Sequence, residues 1–555
     1  MKRSGAQIVL DCLNKVGVDS IFGFPGGAVI PLYDALYDTG HPIRHYRTCH
    51  EQGAVHAADG YARTTGKPGV CLVTSGPGAT NTITGIATAF LDSVPLVVIT
   101  GQVGRPLIGR DSFQEVDITA MTLTITKHCE MIRRVEDIEK TILRAFAIAS
   151  SGRPGPVLVD LPKDLMLQET EYLGLDLTVP EAPVFDRSQL EQALPALREA
   201  RRPVILAGGG VVLANASEEL TEFAMAYGIP VANTLMGTGT FPQSHPLALG
   251  LVGMHGSQEA NRALSEADLV LALGARFSDR VIGAPDQFCR QARIIQVDID
   301  VNELGKNTDT HFPVQGDLKA VLQVLREELG NGRQPMAEPA PRPMSASGEG
   351  ELTAQPLLEA IHRAFGDETI VATEVGQHQM WTAQHFGFDR PRRFITSGGL
   401  GTMGFGLGAA IGAQIGNPDR QVLHIAGDGS FKMNCNELGT VSKYRVPLKT
   451  FVFNNQALGM VRQWQRLFCD GRFSETDGDD SVDFVKLAQA YGIRGYRVAT
   501  FAELEAVLNE IRALEEPVVV DCLMSRDENV YPIVPPGKAI TDMITGQETG
   551  KGVLA

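Results

Sequence analysis

The sequence predicts an α/β protein of three open parallel-sheet domains, and three observations carry that prediction. Short β-branched, apolar runs alternate with helical stretches along the chain, the pattern of parallel strands joined by crossover helices. The length of 555 residues suits three to four units at roughly 150 residues each. Two Pro-bearing stretches, 168–186 and 331–355, divide the chain into units spanning 1–167, 187–330 and 356–555.

The first unit opens with Met1-Lys2-Arg3 and an amphipathic helix around Ile8–Leu13, where Asp11 and Asn14 break up any leader-type apolar core. Val70–Ser75 and Pro95–Thr100 read as strands, and Glu51–Thr65 and Thr80–Leu91 as helices. Gln168–Pro183, rich in acids and Pro, reads as a linker. In the middle unit Pro203–Ala207, Asp268–Leu273 and Arg293–Val297 are buried-strand runs. The clearest seam is Asn331–Gln355, which holds Pro335, Pro339, Pro341 and Pro343 and no apolar periodicity. The last unit repeats the strand pattern at Thr369–Ala372, Gln421–Ala426, Leu448–Phe453 and Pro517–Asp521. In open parallel sheets ligands bind beyond the carboxyl ends of strands, so the residues after these runs are the functional candidates.

A net charge of −16 argues against nucleic acid or an anionic membrane as partner, since both require a basic face. Anionic ligands must then be held locally, by Gly-rich loops, helix N-termini and metals. The eight cysteines include no C-x-x-C pair, which predicts reduced thiols in a cytoplasmic protein. No run approaches ~18 apolar residues, so no transmembrane helix is expected.

The strongest local signal lies in the third unit. Gln421–Ala426 runs into Gly427-Asp428-Gly429, and Leu448–Phe453 runs into Asn454-Asn455. The separation leaves room for one helix and one strand, so Asp428 and Asn455 sit at the ends of neighbouring parallel strands. With the Ala457 backbone carbonyl they make a half-shell of hard oxygens, which Mg²⁺ completes with phosphate oxygens and water. Gly427 and Gly429 let the backbone approach a diphosphate, and a helix starting near Ser430 aims its N-terminus at the negative charge. A G-D-G turn alone is common; the Asn pair after the next strand makes the signal specific. In the middle unit, Gly208-Gly209-Gly210, Gly274-Ala275-Arg276 and Asp298-Ile299-Asp300 follow strands. Such ends suit an adenine dinucleotide, although none is G-x-G-x-x-G.

Over nearly its whole length the chain resembles the acetohydroxyacid synthases, a thiamine diphosphate enzyme family. Besides the metal pair, the resemblance is carried by Gly23-Phe24-Pro25-Gly26-Gly27, His50-Glu51-Gln52-Gly53-Ala54 and Ser75-Gly76-Pro77-Gly78-Ala79-Thr80-Asn81. Phe113-Gln114-Glu115, Gly152-Arg153-Pro154-Gly155-Pro156, Val375-Gly376-Gln377-His378-Gln379-Met380-Trp381 and Gly459-Met460-Val461-Arg462-Gln463-Trp464 extend it. It implies a pyrimidine-binding first unit, an FAD-binding-like central unit and a diphosphate-binding third unit.

By this resemblance Glu51 is the acid that activates the cofactor. The cofactor's C2 proton is removed by its own aminopyrimidine, which requires a carboxylic acid at N1′, and a Glu in an apolar pocket suits that task. Pro25, Gly26, Gly76, Gly78 and Asn81 would hold the cofactor from the first unit. Gln377, His378, Gly401, Gly427, Gly429, Ser430 and Met460 would hold it from the third, with Met403 as the apolar prop that bends it. The two sets would meet across a subunit interface of a homodimer or homotetramer.

Arg276-Phe277-Ser278-Asp279-Arg280 resembles the segment that marks FAD-containing members. It implies a flavin doing no net redox work, held by Arg153, the Gly208–Gly210 run, Leu235, Met236, Gly253, Met254 and His255. Gly274, Arg276, Arg280, Asp298, Ile299 and Asp317 complete that implied pocket. For the acceptor, Arg276 would meet a carboxylate, Trp464 would wall the alkyl chain, and Phe113, Gln114 and Lys163 would line the channel. Met460 and Trp464 stand four positions apart, so both can face one pocket. Two departures stand out: Cys49 where many relatives carry Arg, and Ser278 where Asp is usual.

The resemblance implies condensation of pyruvate with pyruvate or 2-oxobutanoate in branched-chain amino-acid synthesis, with a possible small regulatory subunit. A flavin-linked pyruvate oxidase and a glyoxylate carboligase are the nearest alternatives, and the second lacks the glutamate that Glu51 supplies. A non-catalytic dinucleotide-binding protein is the remote one; intact Glu51, Asp428 and Asn455 speak against it.

Overall fold

The computed structural model describes residues 1–37, 42–180, 185–330, 350–478 and 482–546. A short antiparallel ribbon joins β1 (Lys2–Ser4) to a later strand, β8. Six parallel strands build the first sheet: β2 (Ser20–Phe24), β3 (Arg44–Arg47), β4 (Gly69–Val73), β5 (Leu96–Gln102), β6 (His128–Met131) and β7 (Pro156–Pro162). Their spatial order is β3-β2-β4-β5-β7-β6. β4, β5 and β7 are buried along their whole length, because a parallel sheet covered on both faces offers no solvent side. β8 (Glu169–Glu171) pairs with β1.

The second sheet contains β9 (Pro203–Ala207), β10 (Val231–Asn233), β11 (Ala248–Leu251), β12 (Leu269–Leu273), β13 (Arg293–Asp298) and β14 (Phe312–Gln315). Its order, β11-β10-β9-β12-β13-β14, is the 3-2-1-4-5-6 arrangement of doubly wound dinucleotide folds, with the switch point between β9 and β12. The third sheet contains β15 (Ile370–Thr373), β16 (Phe394–Ile395), β17 (Val422–Gly427), β18 (Lys449–Asn454), β19 (Arg494–Val498) and β20 (Val518–Leu523). The order β16-β15-β17-β18-β20-β19 repeats that of the first sheet strand for strand. Each sheet has apolar clusters on both faces.

The first and third domains join through two helices poor in large side chains, Glu51–Thr65 and Gly406–Gly416. At Gly412 a Cβ would collide with the Ala57 carbonyl, so the two backbones touch. Arg392 then donates to the carbonyls of Arg63 and Val212 and to Asn215 Oδ1, which ties all three domains together.

Several sequence expectations shift. The helix expected over Thr80–Leu91 is two pieces, Pro77–Thr80 and Ile83–Asp92, separated by a turn at Asn81 and Thr82. Strand β4 stops at Val73, which frees Thr74 Oγ1 to accept from Ala28 N. The helix expected near Ser430 starts at Asp428. The first linker stretch contains β8, and the helix Ala354–Phe365 already includes Gln355. The prolines at 335, 339, 341 and 343, and Pro183, lie outside the described residues. Among the described residues no helix is long and apolar enough to cross a membrane. All eight cysteines are free thiols.

Candidate active site

β17 and β18 pair in parallel with Gly427 opposite Phe453, so Asp428 and Asn455 follow at adjacent strand ends. Asp428 is buried, and desolvation pushes its carboxyl up to about 6; a neighbouring cation would hold it ionised. Asn455 Oδ1 accepts from Ala457 N at 3.2 Å, and its Nδ2 donates to Gln377 Oε1 at 3.1 Å. Gln377 in turn donates to Gln463 Oε1 and the Glu528 carbonyl, both at 3.0 Å. The amide oxygen of Asn455 is thus turned and held by a chain of side chains, with a second lone pair still available. The space is full: a Cβ at Gly459 would collide with Gln377 Oε1. Gly427 backs onto the His378 ring and Gly429 onto Leu458. Desolvation lowers His378 to about 4, leaving it neutral, and its buried Nε2 has no partner among the described residues.

Ser430 corrects one expectation. Its hydroxyl donates to Glu374 Oε2 at 2.7 Å and accepts from Gly404 N at 3.1 Å, so it braces a loop and is not a free donor. Glu374, which sequence reasoning missed, is fully buried after β15 and also accepts from Gly404 N and Leu407 N. Its only signal was an acid directly behind an apolar strand. The bend it holds contains Gly401, with φ +69°, and half-buried Met403.

The first domain supplies a second group. Glu51 is the first residue of its helix; Oε2 accepts from Asn81 Nδ2 at 2.9 Å, and Oε1 faces Gly78. Gly26 packs on Thr74 beside exposed Pro25. Gly76 (φ +59°) lies against the backbone of Gln114, itself at φ +59°. The loop carrying Gln114 is pinned by Glu115, which accepts from the amides of Gly109, Arg110 and Ser112. Phe113 beside it is 87% exposed. Lys163 starts the short helix after β7, next to the Asp164–Arg105 ion pair at 2.8 Å. Among the described residues no hydrogen bond or ion pair joins Glu51 or Lys163 to Asp428, Asn455, Gln377 or His378. The chain thus carries two groups with no direct bond between them, Glu51 with Asn81 and Asp428 with Asn455.

A cavity of about 1360 Å³ opens where the three domains meet, above the roughly 300–1,000 Å³ of a single small-ligand pocket. Gly209, Gly210, Gly274 and Arg276 line it at the switch point, Leu235, Met236, Met254 and His255 on one side, and Arg280, Asp298, Ile299 and Asp317 on another. Gly401, Met460 and Trp464 face it from the third domain and Arg153 from the first. Gly208 and Gly253 do not line it. A Cβ there would strike the carbonyl oxygens of Gly274 and Arg280, so these glycines serve backbone packing. Asp317 caps the helix Leu318–Leu329. Arg153 is engaged with Glu303 at 2.6 Å and Ser93 at 2.8 Å. Arg276 is different: half-buried, it donates to the Leu91 carbonyl at 2.7 Å and has no ion pair among the described residues. His255 Nδ1 is buried with no hydrogen-bond partner among the described residues.

The chain matches three family models in succession. These are the thiamine pyrophosphate enzyme N-terminal TPP binding domain over residues 3–121, its central domain over 190–325 and its C-terminal TPP binding domain over 374–522. It is 46% identical to the acetolactate synthase isozyme 2 large subunit of Escherichia coli K12, across 98% of this chain and 99% of that one. The acetolactate synthase large subunit of Cyanidium caldarium is 44% identical, covering 98% of this chain and 97% of its own length. That of Haemophilus influenzae is 43% identical, covering 98% of both. With all three domains matched and relatives aligned end to end, the chain belongs to the thiamine pyrophosphate enzymes and, among them, to the acetolactate synthase large-subunit family.

Proposed function

We propose that this chain decarboxylates pyruvate on thiamine diphosphate and joins the two-carbon unit to a second 2-oxo acid. Pyruvate as acceptor gives 2-acetolactate and 2-oxobutanoate gives 2-aceto-2-hydroxybutanoate, the first common step of branched-chain amino-acid biosynthesis. The observation that carries this reading is the buried Asp428–Asn455 pair at adjacent strand ends, beside a cavity reaching from Trp464 to Arg276.

Residues 1–167, 187–330 and 356–555 are read as pyrimidine-binding, flavin-binding and diphosphate-binding units. The donor chemistry fits the cofactors. One carboxylate and one amide oxygen make half of an octahedral Mg²⁺ shell and require phosphate oxygens for the rest. The His378 ring that backs onto Gly427 carries a buried Nε2 with no partner among the described residues, a group that a diphosphate oxygen would satisfy. For FAD, the doubly wound central sheet, the cavity at its switch point and orphaned His255 Nδ1 support the same reading.

Thiamine diphosphate supplies a carbon nucleophile that also takes up the electron pair left by departing CO₂. Glu51, oriented by Asn81, holds a proton for pyrimidine N1′. Asp428, Asn455 and the Ala457 carbonyl fix the cation. Arg276, with no ion pair among the described residues, meets the acceptor carboxylate, while Trp464 and Met460 present an apolar wall to its alkyl chain. Phe113, Gln114 and Lys163 line the approach from a second copy. Exposed Phe113, Leu107, Leu400 and Val461 support a homodimer or homotetramer in which the half-site around Glu51 of one copy meets the half-site around Asp428 and Asn455 of another. Free thiols support a cytoplasmic location. A small regulatory subunit is a further partner suited to a large-subunit chain.

Purified protein given pyruvate, thiamine diphosphate and Mg²⁺, with and without FAD, tests the reading by acetolactate assay. Anaerobic, FAD-dependent acetolactate is the expected result. Pyruvate consumption that needs oxygen or another electron acceptor, without acetolactate, would instead indicate an oxidase.

A further inference from the structure

Glu437 lies at the end of a short helix, Cys435–Glu437, that follows Asp428–Asn434 directly. It is fully buried, and its carboxylate grips backbone of the first domain. Oε1 accepts from His50 N at 2.9 Å and Oε2 from Cys49 N at 3.1 Å, with Thr440 Oγ1 also donating to Oε2 at 2.5 Å. His50 is the N-cap of the helix whose first residue is Glu51. The clamp leaves no slack: a Cβ at Gly53 would collide with Glu437 Oε1.

The first domain holds the third in the same way. Asp92 ends the last helix of the crossover after β4, and Glu437 lies within the crossover after β17, where the short helix Cys435–Glu437 passes into the helix Leu438–Tyr444. Its oxygens accept from Gly398 N at 3.1 Å and Gly399 N at 2.7 Å, just after β16. Cys49 and His50 come just after β3, the strand equivalent to β16 in the shared order. Each domain thus extends an acid from its third-strand crossover onto the second-strand loop of the other. Asp92 is neutralised by Arg63 at 2.9 Å. Glu437 has neutral donors among its hydrogen-bond partners; burial pushes its carboxyl up from the ordinary range, and the Thr440 hydroxyl and the Cys49 and His50 amides oppose that shift.

We propose that Glu437 is a positioning residue for Glu51, fixing the peptide that launches it and coupling that peptide to the helix that begins at Asp428. The inference rests on the reading of Glu51 as the cofactor-activating acid. A carboxylate held at one end by Asn81 and at its root by Glu437 cannot swing with the loop. A shift of the Asp428 helix in a chain is passed to the Glu51 of that same chain, which belongs to the other half-site.

The test compares Glu437→Gln with Gly53→Ala. Glutamine keeps the shape but offers one acceptor oxygen and turns an NH₂ toward a backbone N–H. Alanine at 53 leaves Glu437 intact and pushes it off the peptide. In cofactor-free full-length protein, amide hydrogen exchange of the peptide covering 48–52 should quicken about tenfold in both variants, with β4 and β5 unchanged. In the loaded enzyme turnover should fall about 10²-fold while half-saturation by pyruvate moves less than about threefold. Wild-type exchange at 48–52, or wild-type turnover, in either variant overturns the proposal. Should Glu437→Gln fail to accumulate folded, Gly53→Ala decides alone. Glu51→Gln is the control: normal turnover there removes the reading beneath, whereas an inactive control beside two active variants removes only the role of Glu437.

Discussion

The first and third domains share one strand order and place different groups at its strand ends. In the first, the loop after the second strand ends in Glu51, while the third-strand loop, Ser75-Gly76-Pro77-Gly78, carries no acid. In the third, the second-strand loop, Gly398-Gly399-Leu400-Gly401, carries no acid, while the ends of the third and fourth strands provide Asp428 and Asn455. One sheet presents a lone carboxylate and the other a carboxylate paired with an amide. The scaffold fixes where a functional group can stand; which strand end bears it sets what the domain does.

The hardest strike at this comparison is Glu51→Gln. If the first domain's contribution is acid–base, turnover should fall by about 10²- to 10⁴-fold, with the circular dichroism spectrum unchanged. Near-normal acetolactate formation would leave the first domain with a merely structural part. The third domain's role is probed by Gln377→Ala, which removes the partner of Asn455. Half-saturating Mg²⁺ should rise about 10- to 100-fold, measured by titrating metal-stripped protein, and an unchanged titration would detach the Asn pair from the metal.

The central sheet sharpens the contrast from outside, because its acid is held against burial. Desolvation first, and then Glu303, push Asp298 up to about 6 from its ordinary 3.8. A raised acid pKa costs nothing below the unfolded value and its full penalty above the folded one. Asp298→Asn should therefore stabilise the flavin-free protein by about 3 kcal/mol at pH 8 and by nothing at pH 3.5. Equal gains at both pH values in urea unfolding would contradict that origin. The smallest effect concerns the seam between the like domains. Gly412→Ala forces a methyl against the Ala57 carbonyl and should destabilise by about 1–3 kcal/mol. An unchanged melting temperature would mean that the two helices part easily.

Much of this was legible in the sequence, for identifiable reasons. The strand Pro203–Ala207 and the helix Glu51–Thr65 appear with the bounds expected of them. The strand is a continuous apolar run buried on both faces, and the helix ends at Gly66, which takes a left-handed φ of +75°. Edge strands such as β3 and β6 are half-exposed and polar, so no apolar run announces them. The Asp428–Asn455 pair was readable because adjacent strands bring it together. Glu374, Asp92 and Glu437 were not, since each acts on backbone amides remote in sequence and an isolated acid leaves no periodic trace. The Gly208–Gly210 run was seen as a ligand loop, yet Gly208 serves the crossing with Gly274.

The grip of Glu437 on His50 spans 387 positions of chain. During synthesis the first domain emerges and can form its sheet long before its partner exists. At about 5–20 residues per second, roughly 20–80 s separate the emergence of His50 from that of Glu437. Through that interval the peptide bearing Glu51 lacks its anchor, and the nascent protein has no completed acid site. Anchoring of the peptide that bears Glu51 is thereby deferred to the last third of translation, whatever the speed at which the earlier domains fold.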